Sequence, residues 1–284
     1  MDLRLRRRLA RLLAGASIEL SPRDPFAGER LRGLFAPGTT VFVTHPADAT
    51  HHDIAAACAR LRGAGFIPVP HLAARRFSGF TQASDLLQRV CEEAAVASIL
   101  VTAGDADRPA GPFCDSLDLL ASGLVERHGI GHVLFAAYPE GHPGIGAGAL
   151  ERALRHKLAL ARAHGLDATL LTQFGFEPAP IRQWLAGLPA RGVLCPVRIG
   201  VAGPASIARI AQFAVHCGLV AMLPALACRH AALPRILTEV APDALLRALF
   251  AEPLAGAPVA GLHIFTFGGV RRTAEWLGAW RAAA

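Results

Sequence analysis

The sequence is nearly devoid of two residue types: Lys157 is its only lysine among 29 basic residues, and Tyr138 is its only tyrosine. It has six cysteines, at 58, 91, 114, 195, 217 and 228, but no C-x-x-C pair and no His/Cys cluster with zinc-finger spacing. That excludes a disulfide-framework protein and a zinc ribbon, and it predicts a reducing, cytoplasmic compartment in which cysteine serves as a small buried hydrophobe. No run of about 18 apolar residues is present, so no membrane span is expected. No G-x-G-x-x-G follows any of the early apolar runs, which argues against a doubly wound dinucleotide-binding sheet, the runner-up architecture. Readers of nucleic acid leave motifs that are missing here, and the arginines are dispersed along helices, so nucleic acid is not an expected partner.

What is present is core-forming material. Hydrophobic residues make up 52% and charged residues 18% of 284 residues, and the net charge is +7. Such composition excludes disorder, and the positive field favours an anionic ligand. The basic start, MDLRLRRRLARLLAGA, lacks the apolar centre of a secretory signal and predicts a short amphipathic helix over 1–16. A mitochondrial-type presequence is the alternative.

Short runs, apolar on both faces, recur: SIELS (17–21), TVFVTH (40–45), IPVPHL (67–72), SILVTAG (98–104), HVLFAAY (132–138), ATLLTQF (168–174), PVRIGVA (196–202) and LHIFTFG (262–268). Parallel strands covered on both sides read this way. Helical patterns fall between them at 50–65, 84–96, 114–129, 149–165, 179–188 and 204–218. The first has a Thr50 cap, the second opens at Ser84, and the last two carry proline in the first turn. Residues 219–258 are longer and less regular, with five prolines, and are expected to form the last excursion before strand eight. Eightfold β/α alternation over this length predicts a (β/α)8 TIM barrel as one domain, 1–284.

In such a barrel the C-terminal strand ends build the site. They carry Glu19, Thr44 and His45, His71, Gly104 with Asp105, Tyr138 to His142, Gln173, Arg198 and Phe267. Glu19 interrupts an apolar run, and a carboxylate buried there is costly without a partner or a role. In a partly apolar barrel mouth it is expected to have a raised pKa, suited to a general acid, with Asp105 as a second carboxylate in a different environment.

Together these motifs resemble the methylenetetrahydrofolate reductases, flavin-dependent TIM barrels, from about Ser17 onward. SIELSP resembles the family's first strand with its catalytic glutamate, IPVPHL its PHL strand, VTAGD its LRGD, and AAYPEGHP its YPE-x-HP. The segment LRHKLALARAHGLDATLLTQFGFE resembles its lysine-bearing helix and TQ strand. The resemblance implies an oxidoreductase interconverting 5,10-methylenetetrahydrofolate and 5-methyltetrahydrofolate, with NAD(P)H as co-substrate, FAD as hydride carrier, folate as small-molecule partner, and a homo-oligomer. It implies that Glu19 protonates the folate nitrogen as the five-membered ring opens and that Asp105 tunes flavin and pterin. Thr44, His71, Gly104, Tyr138, His142 and Lys157 would hold FAD, with Lys157 near the phosphates. Gln173 would bind folate or nicotinamide, and no metal is implied.

The sequence also departs from the family. Its RGD arginine is Ala103 here, the acidic residue before the Lys157 helix is missing, and the stretch after Gly218 has no folate-stacking aromatic. Arg198 and Arg229 are candidates for the glutamate tail, and Arg198 could instead pair with Glu19 or Asp105. These departures keep two alternatives in view. One is a divergent paralogue in one-carbon or demethylation catabolism, oxidising 5-methyltetrahydrofolate or working without tightly bound flavin. The other is a folate-binding barrel without catalysis.

Overall fold

A computed structural model describes residues 3–216, 239–254, 256 and 258–282. In chain order the elements are α1 (Leu3–Ala14), β1 (Ser17–Leu20), β2 (Thr40–Val43), α2 (His51–Gly63), β3 (Ile67–Ala73), α3 (Phe80–Ala94), β4 (Ser98–Thr102), α4 (Ser116–Ala121), α5 (Leu124–Arg127) and β5 (His132–Ala137). They continue with α6 (Ala147–Ala163), β6 (Asp167–Thr172), α7 (Pro178–Gly187), β7 (Val197–Ala202), β8 (Ala205–Ser206), α8 (Ile207–His216), β9 (Glu239–Val240), α9 (Asp243–Phe250), β10 (Val259–Phe265) and α10 (Val270–Ala282). Eight strands close a barrel in the order β1-β10-β7-β6-β5-β4-β3-β2. All eight expected runs supply its strands, so the fold is the (β/α)8 barrel that the alternation predicts.

The chain divides into two compact units, one of residues 17–136 and 151–170, the other of residues 1–16, 137–150 and 171–284. In the first unit, β1 to β5 pair in parallel. Glu19 stands opposite Phe42 and Phe42 opposite Val69; His71 stands opposite Leu100 and Leu100 opposite Leu134. Because side chains alternate along a strand, these residues share one face, while Ile18, Val41, Val101, Val133 and Phe135 share the other and are fully buried. Lys157 of α6 lies over Phe135, which identifies this second face as the one the helices cover. α2 begins as its sequence predicts: Thr50 Oγ1 accepts from the Asp53 N–H at 3.1 Å, and Asp53 Oδ2 accepts from the Thr50 N–H at 2.8 Å.

In the second unit β7 and β10 pair in parallel, with Gly200 opposite His263 and Ala202 opposite Phe265. Gly200 has no room for a side chain, because a Cβ there would stand 2.2 Å from the Thr172 carbonyl oxygen. Its N–H instead donates to Thr172 Oγ1 at 2.8 Å. Leu9 and Leu13 of α1 are buried, and that helix packs on α9, α10 and β10.

Several boundaries differ from expectation. α3 starts at Phe80, not Ser84; Ser84 Oγ is instead 2.8 Å from His128 Nε2. The pattern over 114–129 forms two helices, broken at Ser122 and Gly123. The helix expected from Pro204 starts at Ile207 because Ala205 and Ser206 pair antiparallel with Val240 and Glu239. α10 was not anticipated, although Val270, Thr273, Leu277 and Trp280 bury one helical face.

Candidate functional site

In the first unit the strand ends bring together the carboxylate and imidazole that the sequence singles out. Glu19 is the third of four residues in β1, and His71 is the fifth of seven in β3. Their side chains are 16% and 15% exposed, and Glu19 Oε2 lies 3.6 Å from His71 Nε2. The Phe42 ring meets the imidazole edge-on, with centroids 5.9 Å apart. A carboxylate and an imidazole within ion-pair reach, beside the Phe42 ring, can hold and exchange a proton.

Past the ends of β2, β3 and β4 the unit collects further polar groups. The Thr44 N–H donates to the Leu20 carbonyl at 2.9 Å, extending the β1–β2 pairing beyond the strands. His45 is buried, and its Nδ1 accepts from the Ala73 N–H at 3.3 Å. That bond places the ring proton on Nε2 in the neutral form. Burial lowers the His45 pKa to about 3, reinforced by His51, Arg76 and His71 and opposed by Asp105. His51 stacks on Phe77 at 4.9 Å, and burial lowers its pKa also.

Gly104 adopts φ 90°, and a Cβ there would come within 3.0 Å of Ala73 Cβ, so glycine brings this loop close against β3. The next residue, Asp105, is held by Arg76, whose Nη2 donates to Asp105 Oδ1. Sequence reasoning missed Arg76. It lies outside the strand runs, and the only signal was a pair of arginines directly after PHLAA while the arginine expected at 103 is alanine. Its neighbour Arg75 ties the same region down, donating to the Cys114 and Ala106 carbonyls.

In the second unit Tyr138 and Gln173 immediately follow β5 and β6. The Tyr138 and His142 rings meet edge-on at 5.2 Å. His142 Nδ1 accepts from the Gly144 N–H at 3.1 Å, and burial lowers its pKa. The Gln173 N–H donates to the Ala137 carbonyl at 2.8 Å. Glu140 plays a structural part, since its Oε1 accepts from the Phe176 and Glu177 N–H groups at 2.9 and 2.7 Å, at the entrance to α7. Beyond it a cavity of about 420 Å³ is lined by Phe176, Ala202, Ile210, Val240, Pro242 and Leu245. Phe267 packs, stacking on Phe213 at 4.3 Å and on Phe265 at 5.5 Å.

Two expected contacts lie elsewhere. Arg198 is the second residue of β7, at the amino-terminal end of its strand and not the C-terminal end, and its Nη1 reaches the Leu262 carbonyl at 3.5 Å. Burial lowers its pKa. Asp105 pairs with Arg76. Lys157 Nζ lies 5.9 Å from the Phe135 ring centroid, in the layer between α6 and β5, and burial lowers its pKa. A flavin dinucleotide needs a cation at its diphosphate, and a lysine seated over a fully buried phenylalanine does not fit that need. Arg229 and the stretch after Gly218 lie outside the described residues. Among the described residues no three or more His, Cys, Asp or Glu are grouped to hold a metal ion, and no helix is long and apolar enough to cross a membrane.

No family model matches the chain. Among solved structures, the chain is similar to an uncharacterised protein from Clostridium thermocellum that binds two copies of 5-methyl-5,6,7,8-tetrahydrofolic acid. The TM-score is 0.62 at 10% identity, over 99% of this chain and 100% of that one. Dihydropteroate synthases from Thermus thermophilus and, with pteroic acid, from Coxiella burnetii match at TM-scores of 0.47 and 0.46. Their identities are 16% and 11%, over 95% of this chain in each case and 93% and 94% of theirs. The two synthases carry no argument at those scores; the likeness to the Clostridium protein shows a shared fold along the full length of both chains.

Proposed function

We propose that this chain binds a reduced folate and acts as an oxidoreductase on the methylene/methyl couple of tetrahydrofolate, with NAD(P)H as the hydride source. The observation that carries the proposal is the Glu19–His71 pair, two proton-handling groups 3.6 Å apart in an otherwise apolar strand face. Reducing 5,10-methylenetetrahydrofolate consumes one hydride and one proton, giving 5-methyltetrahydrofolate and NAD(P)+. The hydride goes to the bridging carbon. The proton goes to the nitrogen that leaves as the five-membered ring opens, and Glu19 supplies it, with His71 positioned to restore it. Asp105, fixed by Arg76, is a carboxylate for the pterin's N–H donors. Gln173 and Tyr138, at the ends of their own strands, keep the ligand-contacting roles that the resemblance implies. Support also comes from the Clostridium protein, a barrel of the same fold that binds the proposed product.

The test is turnover of NAD(P)H with methylenetetrahydrofolate, beside calorimetric binding of 5-methyltetrahydrofolate. Glu19→Gln is expected to lower turnover by about 10²–10⁴-fold while leaving folate affinity within a few-fold. Equal loss of binding and turnover would make Glu19 a binding residue and remove the acid assignment. A second reading, folate binding without redox chemistry, is favoured by one observation: Lys157 sits over Phe135. Wild-type protein that binds the methylated folate yet never oxidises NAD(P)H, with or without added FAD, establishes that reading instead.

A further inference from the structure

The arginines of α1 take no part in the site described above. The helix reads LRLRRRLARLLA and has no acidic residue in its first turn. Leu9, Ala10 and Leu13 are buried toward the fold. Arg4, Arg7, Arg8 and Arg11 follow an i, i+3, i+4, i+7 spacing and form one stripe beside that buried face. With Leu12, Phe250 and Val259 they line a cavity of about 470 Å³. The Arg8 guanidinium lies 5.1 Å from the Phe250 ring centroid. Among the described residues Arg7, Arg8 and Arg11 form no ion pair with a carboxylate.

This stripe is electrostatically unfavourable by itself. Arg11 stands four residues from Arg7 and three from Arg8, and like charges at those spacings repel. An anion in the cavity reverses the sign of that effect. We infer that the α1 cavity is a binding site for a small molecule bearing linked phosphates. Guanidinium forks match phosphate oxygens in a bidentate manner. The arginines line a concavity of small-ligand size, and Arg4 to Arg11 spans about 10 Å of helix axis, the reach of a few linked phosphates. A bilayer is the poorer partner because the apolar side of α1 is committed to the fold, leaving no face to insert. The cavity includes Val259, where β10 begins, whereas the barrel residues invoked for folate chemistry belong to the C-terminal strand ends. The two sites therefore fail or stand separately.

The experiment is titration calorimetry of the full chain with sodium tripolyphosphate at low and at raised salt. Saturable one-to-one binding that weakens with salt is expected. Arg7→Gln with Arg11→Gln should lower the affinity at least tenfold, with the ligand-free melting temperature unchanged or raised. A control pair, Arg30→Gln with Arg108→Gln, removes the same charge from exposed positions elsewhere and should leave the affinity within about twofold. No saturable heat at millimolar tripolyphosphate, or equal losses in both double variants, overturns the inference. Cosedimentation with phosphatidylserine vesicles that tripolyphosphate cannot displace overturns it also, assigning the surface to a membrane.

Discussion

His45 shows how burial decides the chemistry of a single residue in this protein. Its Nδ1 accepts from the Ala73 N–H, and burial, together with nearby His51, Arg76 and His71, lowers its pKa to about 3 against a weaker opposing pull from Asp105. An unfolded histidine protonates near pH 6.5. Between those values the unfolded chain binds more protons than the folded one, so stability from this residue is complete above about pH 6.5 and falls as the pH drops toward 3, by up to about 1.4 kcal/mol per pH unit. His45→Asn keeps an acceptor for Ala73 and removes the titration. Urea unfolding between roughly pH 6.5 and pH 4 should show a flatter slope in the variant than in the wild type; identical slopes would mean that His45 is protonated when folded. Residues of this kind were partly legible. Glu19 and His71 stood out because a charge or imidazole inside an apolar run is costly. Arg76 did not, because an arginine after a strand is ordinary until the loop brings it to Asp105. The seat of Lys157 over Phe135 is not legible either, because spacing along a helix does not reveal which layer a side chain enters.

At the scale of elements, the loop after β5 caps the helix after β6. Glu140 Oε1 receives the Phe176 and Glu177 N–H groups, and Glu177, at the N-cap of α7, has no side-chain cap of its own. A carboxylate at a helix start is favoured by the helix field as well as by these bonds. Glu140→Ala should therefore destabilise the chain by about 2–3 kcal/mol. It should also remove hydrogen-exchange protection at the Phe176 and Glu177 amides, and Glu140→Gln should restore part of it. Unchanged protection in the alanine variant would show that the loop is held by its packing alone. That the partners of Glu140 lie 36 and 37 residues onward cannot be read locally in the sequence. Strand existence was legible because each run is apolar on both faces, whereas β8 and β9 were hidden, each two residues long and stabilised only by pairing across a long interval.

For the whole molecule, eightfold alternation was the legible quantity, because each β/α unit buries its own strand under its own helix and repeats that signature in sequence. Whether the barrel behaves as the one domain expected from its length is a separate matter. The chain passes between the two compact units at four points: Ala16/Ser17 lies between α1 and β1, Leu150/Glu151 inside α6, and Ala136/Ala137 and Leu170/Leu171 inside strands β5 and β6. An independent domain boundary ordinarily falls in an exposed linker that few contacts cross. Cutting a strand in two would strip it of ladder hydrogen bonds that water-excluded backbone must keep. A chain in which β5 and β6 each form as one strand is expected to open both units together. Thermal unfolding by calorimetry should accordingly give a single transition with calorimetric and van't Hoff enthalpies equal, and urea midpoints from the fluorescence of Trp184, Trp276 and Trp280 should coincide with those from far-UV circular dichroism. Two resolved transitions would show that the units fold separately, and the strands cut at 137 and 171 would then have to form independently of their other halves.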